Sequence, residues 1–298
     1  MKTHIYLKTI VICLALVITG LNFSAAQEKK GLLWEISGKG ITQPAYLYGT
    51  IHLYDTSLYR LPATPFAILD KVKKIFFELD FGHIDANELM NSIYIKDSTQ
   101  FINKLMDGPS LAKLKSLVDS SAALKMFGDK AYEIKPLLLW SILIAGDGTT
   151  PSMEMELYKA AIAKKDSVGG LETVKEQMDA INMLSIPAQL EMLKDIIRKN
   201  TSPKELLAKM TAIYTRQHIE TIMDELGDGT AMDPNFNEHL LIKRNIVMAD
   251  RIEPLLHKDG VMICIGAGHL GTKTGVIALL EKKGYTLKNV PFNFEKHD

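Results

Sequence analysis

Cysteine is nearly absent from this 298-residue sequence, which has only two. Cys13 lies in an N-terminal apolar run and Cys264 in a second one. Once the N-terminal run is removed, no internal disulfide can form, and Cys264 reads as a small buried apolar residue rather than a nucleophile. Net charge is absent as well. Thirty-five Lys+Arg balance 35 Asp+Glu with no basic stripe, which argues against nucleic acid as a partner. The H-E-x-x-H, G-x-S-x-G and Walker patterns are missing. No fixed period repeats, so the chain is not a solenoid. Its stability must come from an apolar core or a bound metal.

The first 26 residues have the form of a secretory signal. Lys2 and Lys8 give a positive start, Thr9 to Leu21 is apolar, and Ser24-Ala25-Ala26 supplies the small-x-small cleavage pattern. The apolar run is shorter than the roughly 20 residues of a spanning helix. Cys13 sits inside the run rather than at its end, which argues against lipid attachment. The expected mature chain is residues 27–298, periplasmic or secreted, with no membrane span after cleavage.

Residues 32–37 and 45–51 read as strands separated by the turn signal Gly38-Lys39-Gly40. A helix is expected over Ala63 to Val72, then a buried strand over Ile75 to Asp80. From about residue 85 to 257 apolar positions recur at helical spacing, and Pro136, Pro151, Pro187, Pro203 and Pro234 mark helix starts. One short strand is expected inside this stretch, at Ser167 to Leu171. Val261 to Ile265 is a fully apolar strand, followed by a helix over Lys273 to Lys283 and a last strand over Thr286 to Phe292. Apolar strands need cover on both faces, so the two ends should meet in one sheet. The expected fold is α/β, with α+β character. It is a single unit over 27–298, with a mixed sheet from about 31–84 and 258–293 and a helical insertion over about 85–257.

Two short motifs share one arrangement. Gly49-Thr50-Ile51-His52 follows the strand of residues 46–48, and Gly266-Ala267-Gly268-His269 follows the strand of 261–265. Each puts an imidazole just past a strand end, where open α/β sheets bind ligands. Glycine permits positive φ and close backbone approach. Two neutral imidazoles at one mouth suit a divalent ion. Glu78, beside two phenylalanines, is the natural third ligand, since a carboxylate there is costly unless paired or metal-bound. Such a set leaves a position for water, whose pKa the metal lowers. Asp80 is a candidate second ligand, base or orienter. The bland alternative is that each histidine is a surface or loop-stabilising residue.

Residues 266–271 also fit G-x-G-x-x-G between a strand and a helix. A dinucleotide site would want an acid at the end of the next strand, where Val290-Pro291-Phe292-Asn293 stands instead. Arg244-Asn245 lies in a helical stretch with His239 and Arg251, and by residue pattern alone reads as a solvated face. Met153 and Met155 read as core.

These residues resemble the TraB/GumN (TIKI-like) family. Tyr46 to Leu53 looks like its opening Gly-x-x-His motif, and Phe77-Glu78-Leu79-Asp80 like the acidic strand that follows. Leu171-Glu172-Thr173 with Gln177 is similar to its central element, Arg244-Asn245 to a late Arg-Asn pair, and Gly266 to Leu270 to its second motif. The matches run in order from about residue 31 to 292. The resemblance implies a metal-dependent protease or esterase-like hydrolase, with manganese or cobalt held by His52, Glu78 and His269 and with Arg244 as a polar or anion-binding partner. Its substrate would be a peptide or a small ester or amide. The chain lacks the arginine that TIKI members carry soon after the first motif, since Arg60 stands in a different context, and this weakens the peptide assignment more than the metal. The alternative is a non-catalytic protein that binds a peptide or haem in the same cleft.

Overall fold

The computed structural model describes residues 29–146, 150–227 and 234–297. The signal expected over residues 1–26 lies outside the described residues. Among those described, no helix is long and apolar enough to cross a membrane.

Six strands form one sheet: β1 (Leu33–Ser37), β2 (Ala45–Thr50), β3 (Lys74–Leu79), β4 (Ser167–Glu172), β5 (Val261–Gly266) and β6 (Thr286–Asn289). Their order is β4-β3-β5-β2-β1-β6. The first four in that order run parallel, whereas β1 is antiparallel to both β2 and β6. Composition follows position. β5 lies between two parallel neighbours, and Met262, Ile263, Cys264 and Ile265 are fully buried. Burying one such aliphatic side chain contributes roughly 1.5–3 kcal/mol. β1, next to the antiparallel edge, exposes Glu35 and Ser37. The fold is α/β, a mixed sheet with extensive helical regions.

β4 comes from the middle of the chain, so the sheet is not built from the terminal parts alone. The helices between β3 and β5 divide between two apolar cores. Met153, Leu157, Ile213, Tyr214, Met248 and Ile252 pack against the sheet. A second core draws on residues 95–144 and 190–207, including Leu114, Leu139, Trp140 and Leu193. Pro136 and Pro203 each open a helix, and Pro187 stands at the second position of another, where a missing N–H costs nothing.

Three boundaries differ from expectation by three residues or more, the first being the helix expected over Ala63 to Val72, which ends at Ile68. The helix after β5 starts at Val276 rather than Lys273. The preceding Gly271–Gly275 segment folds back so tightly that a Cβ on Gly275 would lie 1.9 Å from the Gly271 carbonyl oxygen. The last strand stops at Asn289, ahead of Pro291, which has no N–H to offer a ladder.

Candidate functional site

Four adjacent parallel strands each deliver one polar residue to their carboxyl ends. β2 ends at Thr50, and His52 follows two residues later. β5 runs into a short 3-10 turn, Ala267–His269, that carries His269. β3 carries Glu78 and β4 ends on Glu172. Register aligns them: Thr50 lies opposite Gly266, and Leu79 opposite Glu172. Helices add the rest. Glu154 comes from the helix 153–163, Gln177 from 174–182, and Arg244 and Asn245 from 243–252. The last of these helices continues a π-helical turn over Glu238–Ile242, an irregularity frequent at functional sites.

Each candidate ligand is held from behind. The Nδ1 of His269 lies 2.6 Å from Asn245 Oδ1. An amide oxygen only accepts, so this nitrogen carries the proton and Nε2 keeps its lone pair. That Nε2 faces Glu78 Oε1 at 3.8 Å. The Nδ1 of His52 lies 2.8 Å from Glu154 Oε1. Glu154 also accepts from Thr50 Oγ1 and Ser152 Oγ, each at 2.7 Å. Glu78 Oε2 accepts from Arg244 Nη2 at 2.7 Å and Gln177 Nε2 at 3.0 Å, and its Oε1 accepts from the Gly266 N–H at 2.7 Å.

The electrostatics follow from this packing. Burial alone would raise the Glu78 carboxyl, but the charges of His269, Arg244 and His52 and the Gly266 N–H bring it down to about 2. Burial lowers His269 to about 4, with Arg244 and His52 adding to the effect against Glu78, so this ring is neutral near pH 7. The Glu154 carboxylate raises His52 to about 9 against the cost of desolvation. The His52 side chain is 75% exposed, so solvent screens this pairing far more than it screens the Glu78 cluster.

Arg244 forks onto Glu172, with Nε to Oε1 at 2.9 Å and Nη2 to Oε2 at 2.7 Å. Its Nη1 donates to the Leu240 carbonyl at 3.1 Å. The guanidinium therefore faces protein carboxylates rather than the open mouth. Asp80 accepts from the Gly82 N–H and pairs with His83 at a surface turn, away from Glu78. Arg60 lies 3.8 Å from Glu295 with both side chains exposed. Cys264 is buried, and desolvation holds its thiol well above the ordinary range.

His269 and Glu78 bring an imidazole nitrogen and a carboxylate oxygen to within 3.8 Å of each other, two donor types that divalent ions take. An outer hydrogen-bond partner fixes each candidate ligand, as is usual for the side chains that hold metal ions. The spacing is looser than that of a closed site. Among the described residues, no three His, Cys, Asp or Glu side chains are near enough together to hold one ion as they stand. His52 pairs with Glu154 rather than Glu78.

Glycine serves space rather than left-handed backbone here. Neither Gly49 nor Gly268 has positive φ. A Cβ on Gly49 would meet Leu270 Cδ1 at 2.5 Å and Ala267 Cα at 3.2 Å, and one on Gly266 would meet Glu78 Oε1 at 3.2 Å. A cavity of about 230 Å³ borders the cluster, lined by Glu172, Arg244, Met183 and Val247 among others. A larger cleft of about 880 Å³, lined by Tyr59, Arg216, His218 and Phe294 among others, touches none of these residues.

The residue pattern alone left Glu154 and Asn245 without a role in the site. Neither stands near a Gly-x-x-His motif in sequence. The one available signal was the Arg-Asn pair in the late helix.

A sheet with polar residues gathered at the ends of its parallel strands defines an α/β protein with a cleft-type site. The family model described as "TraB/PrgY/gumN family" matches residues 32–289, and the chain belongs to that family. It is 20% identical to "Metalloprotease TIKI1" of Danio rerio, over 89% of this chain and 64% of that protein. It is 21% identical to "Metalloprotease TIKI2" of the same organism, over 89% and 62%. The chain thus spans less than two thirds of the length of these relatives. No solved structure matches it.

Proposed function

We propose that this protein is an exported metal-dependent hydrolase whose centre is the strand-end cluster. His52, Glu78 and His269 would hold a divalent ion, with manganese or cobalt favoured. The observation that carries this reading is the shared orientation of His269 and Glu78. Each is clamped on its outer side, by Asn245 and by Arg244 with Gln177, and Nε2 of His269 lies 3.8 Å from Oε1 of Glu78, an oxygen that also accepts from the Gly266 N–H. The similarity to proteins named metalloproteases supports it.

When bound, the ion would lower the pKa of a water and so supply a nucleophile near neutral pH. The chain's own residues do the rest. Asn245 fixes the His269 tautomer. Arg244 and Gln177 orient Glu78. Glu154 holds His52 by Nδ1, so Nε2 is the ring nitrogen that remains for a proton or a ligand. The substrate class is a peptide or a small ester or amide.

The test compares wild type with His52→Ala, Glu78→Gln and His269→Ala. Metal content, thermal melting, and peptide and ester hydrolysis with and without chelator are measured for each. All three variants should lose metal and hydrolysis while staying folded, because strand-end residues add little to the apolar core. Wild type that takes up neither manganese nor cobalt, and melts the same with chelator, would remove the hydrolase reading and leave a binding protein in its place. Export is tested separately, by sequencing the N-terminus of the protein from outside the cytoplasm. Gln27 is the expected first residue.

A further inference from the structure

Two charged side chains, Arg244 and Glu172, stand behind the proposed ligand Glu78 and form a charged trio with it. Arg244 Nη2 bridges two carboxylates, lying 2.7 Å from Glu78 Oε2 and 2.7 Å from Glu172 Oε2. Gln177 Nε2 spans the same pair at 3.0 and 3.4 Å. All three charged side chains are sequestered, with exposures of 12% for Arg244, 9% for Glu78 and 2% for Glu172. Their charges act on one another with little solvent screening.

The sign of the sum matters for a cation. Arg244 beside Glu78 alone would give a neutral pair with no attraction for a divalent ion. Glu172 changes this, because two carboxylates share one guanidinium and leave one negative charge. The other cationic side chains that act on Glu78 and Glu172 have partners of their own. His52 pairs with Glu154, Arg251 pairs with Glu176, and His269 gives its Nδ1 proton to Asn245 and keeps its Nε2 lone pair toward Glu78. Geometry assigns the surplus. Glu172 takes both Nε and Nη2 of the arginine in a fork, whereas Glu78 receives a single N–H from it. Bidentate pairing of this kind is the stronger contact. The guanidinium therefore belongs mainly to Glu172, and Glu78 keeps an oxygen, Oε1, directed at His269.

We propose that Glu172 is a positioning residue of the centre: by claiming Arg244 it leaves Glu78 a net anion, available to a divalent cation. This rests on the metal-centre reading above. It carries an unusual consequence, that the two partners of one salt bridge have opposite effects on cation affinity. Removing the charge of Glu172 gives Arg244 wholly to Glu78 and weakens binding. Removing the charge of Arg244 leaves two carboxylates unneutralised and strengthens it.

The test is a cobalt(II) titration of the full mature chain, followed by visible absorbance, for wild type, Glu172→Gln, Arg244→Gln and the double variant. Glu172→Gln should bind about ten-fold or more weakly, the size of effect common for outer partners of metal ligands. Arg244→Gln should bind about ten-fold more tightly, since a unit charge at this range shifts a proton's affinity for a carboxylate by at least that much. The double variant regains the wild-type charge sum and should return to within a few-fold of wild type. If Arg244→Gln does not fold, the recovery of the double variant over Glu172→Gln carries the test alone. Glu172→Gln binding like wild type, or a double variant weaker than either single, would overturn the proposal and leave the metal centre standing. Wild type with no cobalt affinity would overturn both.

Discussion

Arg244 and Asn245 are adjacent in sequence yet hold different members of the site. Arg244 Nη2 donates to Glu78, and Asn245 Oδ1 accepts from His269. One turn of one helix thus sets the orientation of a residue on β3 and of one in the turn after β5. Asn245 is 2% exposed and its amide also donates to the Thr274 carbonyl at 2.9 Å, so its own rotamer is fixed from both ends.

Asn245→Leu should therefore act on His269 more than on the fold. It removes the acceptor that selects the tautomer with a free Nε2, and cation affinity should fall by about 10- to 100-fold. Asn245→Asp keeps an acceptor at the same place and should retain most of the affinity. Equal losses in the two variants, measured by the same cobalt titration, would mean that packing rather than tautomer control is at stake.

Gly49→Ala tests the close approach of β2 and the turn after β5. The backbone at Gly49 is ordinary, so the cost is steric: the methyl would lie 2.5 Å from Leu270 Cδ1 and 3.2 Å from Ala267 Cα. Overpacking of this kind costs typically 1–3 kcal/mol. Leu270 is fully buried, and Leu270→Ala alone should cost about 2–5 kcal/mol. Combined, the two changes should cost clearly less than their sum in urea unfolding, because the methyl fills part of the space the leucine leaves.

Two buried tyrosines predict an asymmetry. Tyr214 donates to the Gly49 carbonyl at 2.7 Å, and the Tyr48 hydroxyl lies 2.9 Å from that of Tyr214. Since Tyr214 spends its proton on Gly49, Tyr48 donates to Tyr214. Tyr48→Phe removes the end of this chain and should cost about 0.5–1.5 kcal/mol. Tyr214→Phe removes the middle and takes a partner from both neighbours, so it should cost more, about 1–3 kcal/mol for each polar group left buried without a partner. Equal midpoints in denaturant would contradict the proton order.

The sheet was readable because its signal is local. Val261 to Ile265 is apolar without a break, as a strand with parallel neighbours on both sides must be. β4 was visible as a strand, but its place beside β3 was not, since pairing of residues some 90 positions apart leaves no local trace. The same limit governs the site. The Gly-x-x-His turns and Glu78 announce themselves by type and strand-end position. Glu154 and Asn245 sit in helices that carry several other polar residues, where one more looks like any solvated one. Their inward orientation is a tertiary fact. The glycines offered both positive φ and close approach, and the structure uses only close approach, at Gly49 and Gly266.

Glu176 closes a capping box with Thr173 at the start of the helix 174–182 and pairs with Arg251. The hydrogen bond from Arg251 comes first among the influences on it. Burial opposes, and the Thr173 N–H and hydroxyl add to the lowering, so that the carboxyl falls from the ordinary 4.5 to about 2. A carboxyl lowered on folding stabilises the native state while it is ionised in both states, that is, above about 4.5. That contribution is lost as pH falls through the window from 4.5 toward 2, because the unfolded chain takes up the proton first. The side chain is 39% exposed, so solvent screening limits the gain to about 1 kcal/mol or less. Glu176→Gln should melt below wild type at pH 7, by an amount nearly constant down to about pH 5. The two melting temperatures should then converge as the pH is lowered toward 2, apart from the loss of the capping acceptor that glutamine only partly replaces. A gap that widens on acidification would show that Glu176 is not the stabilising partner of Arg251, and that this ion pair adds nothing to the fold.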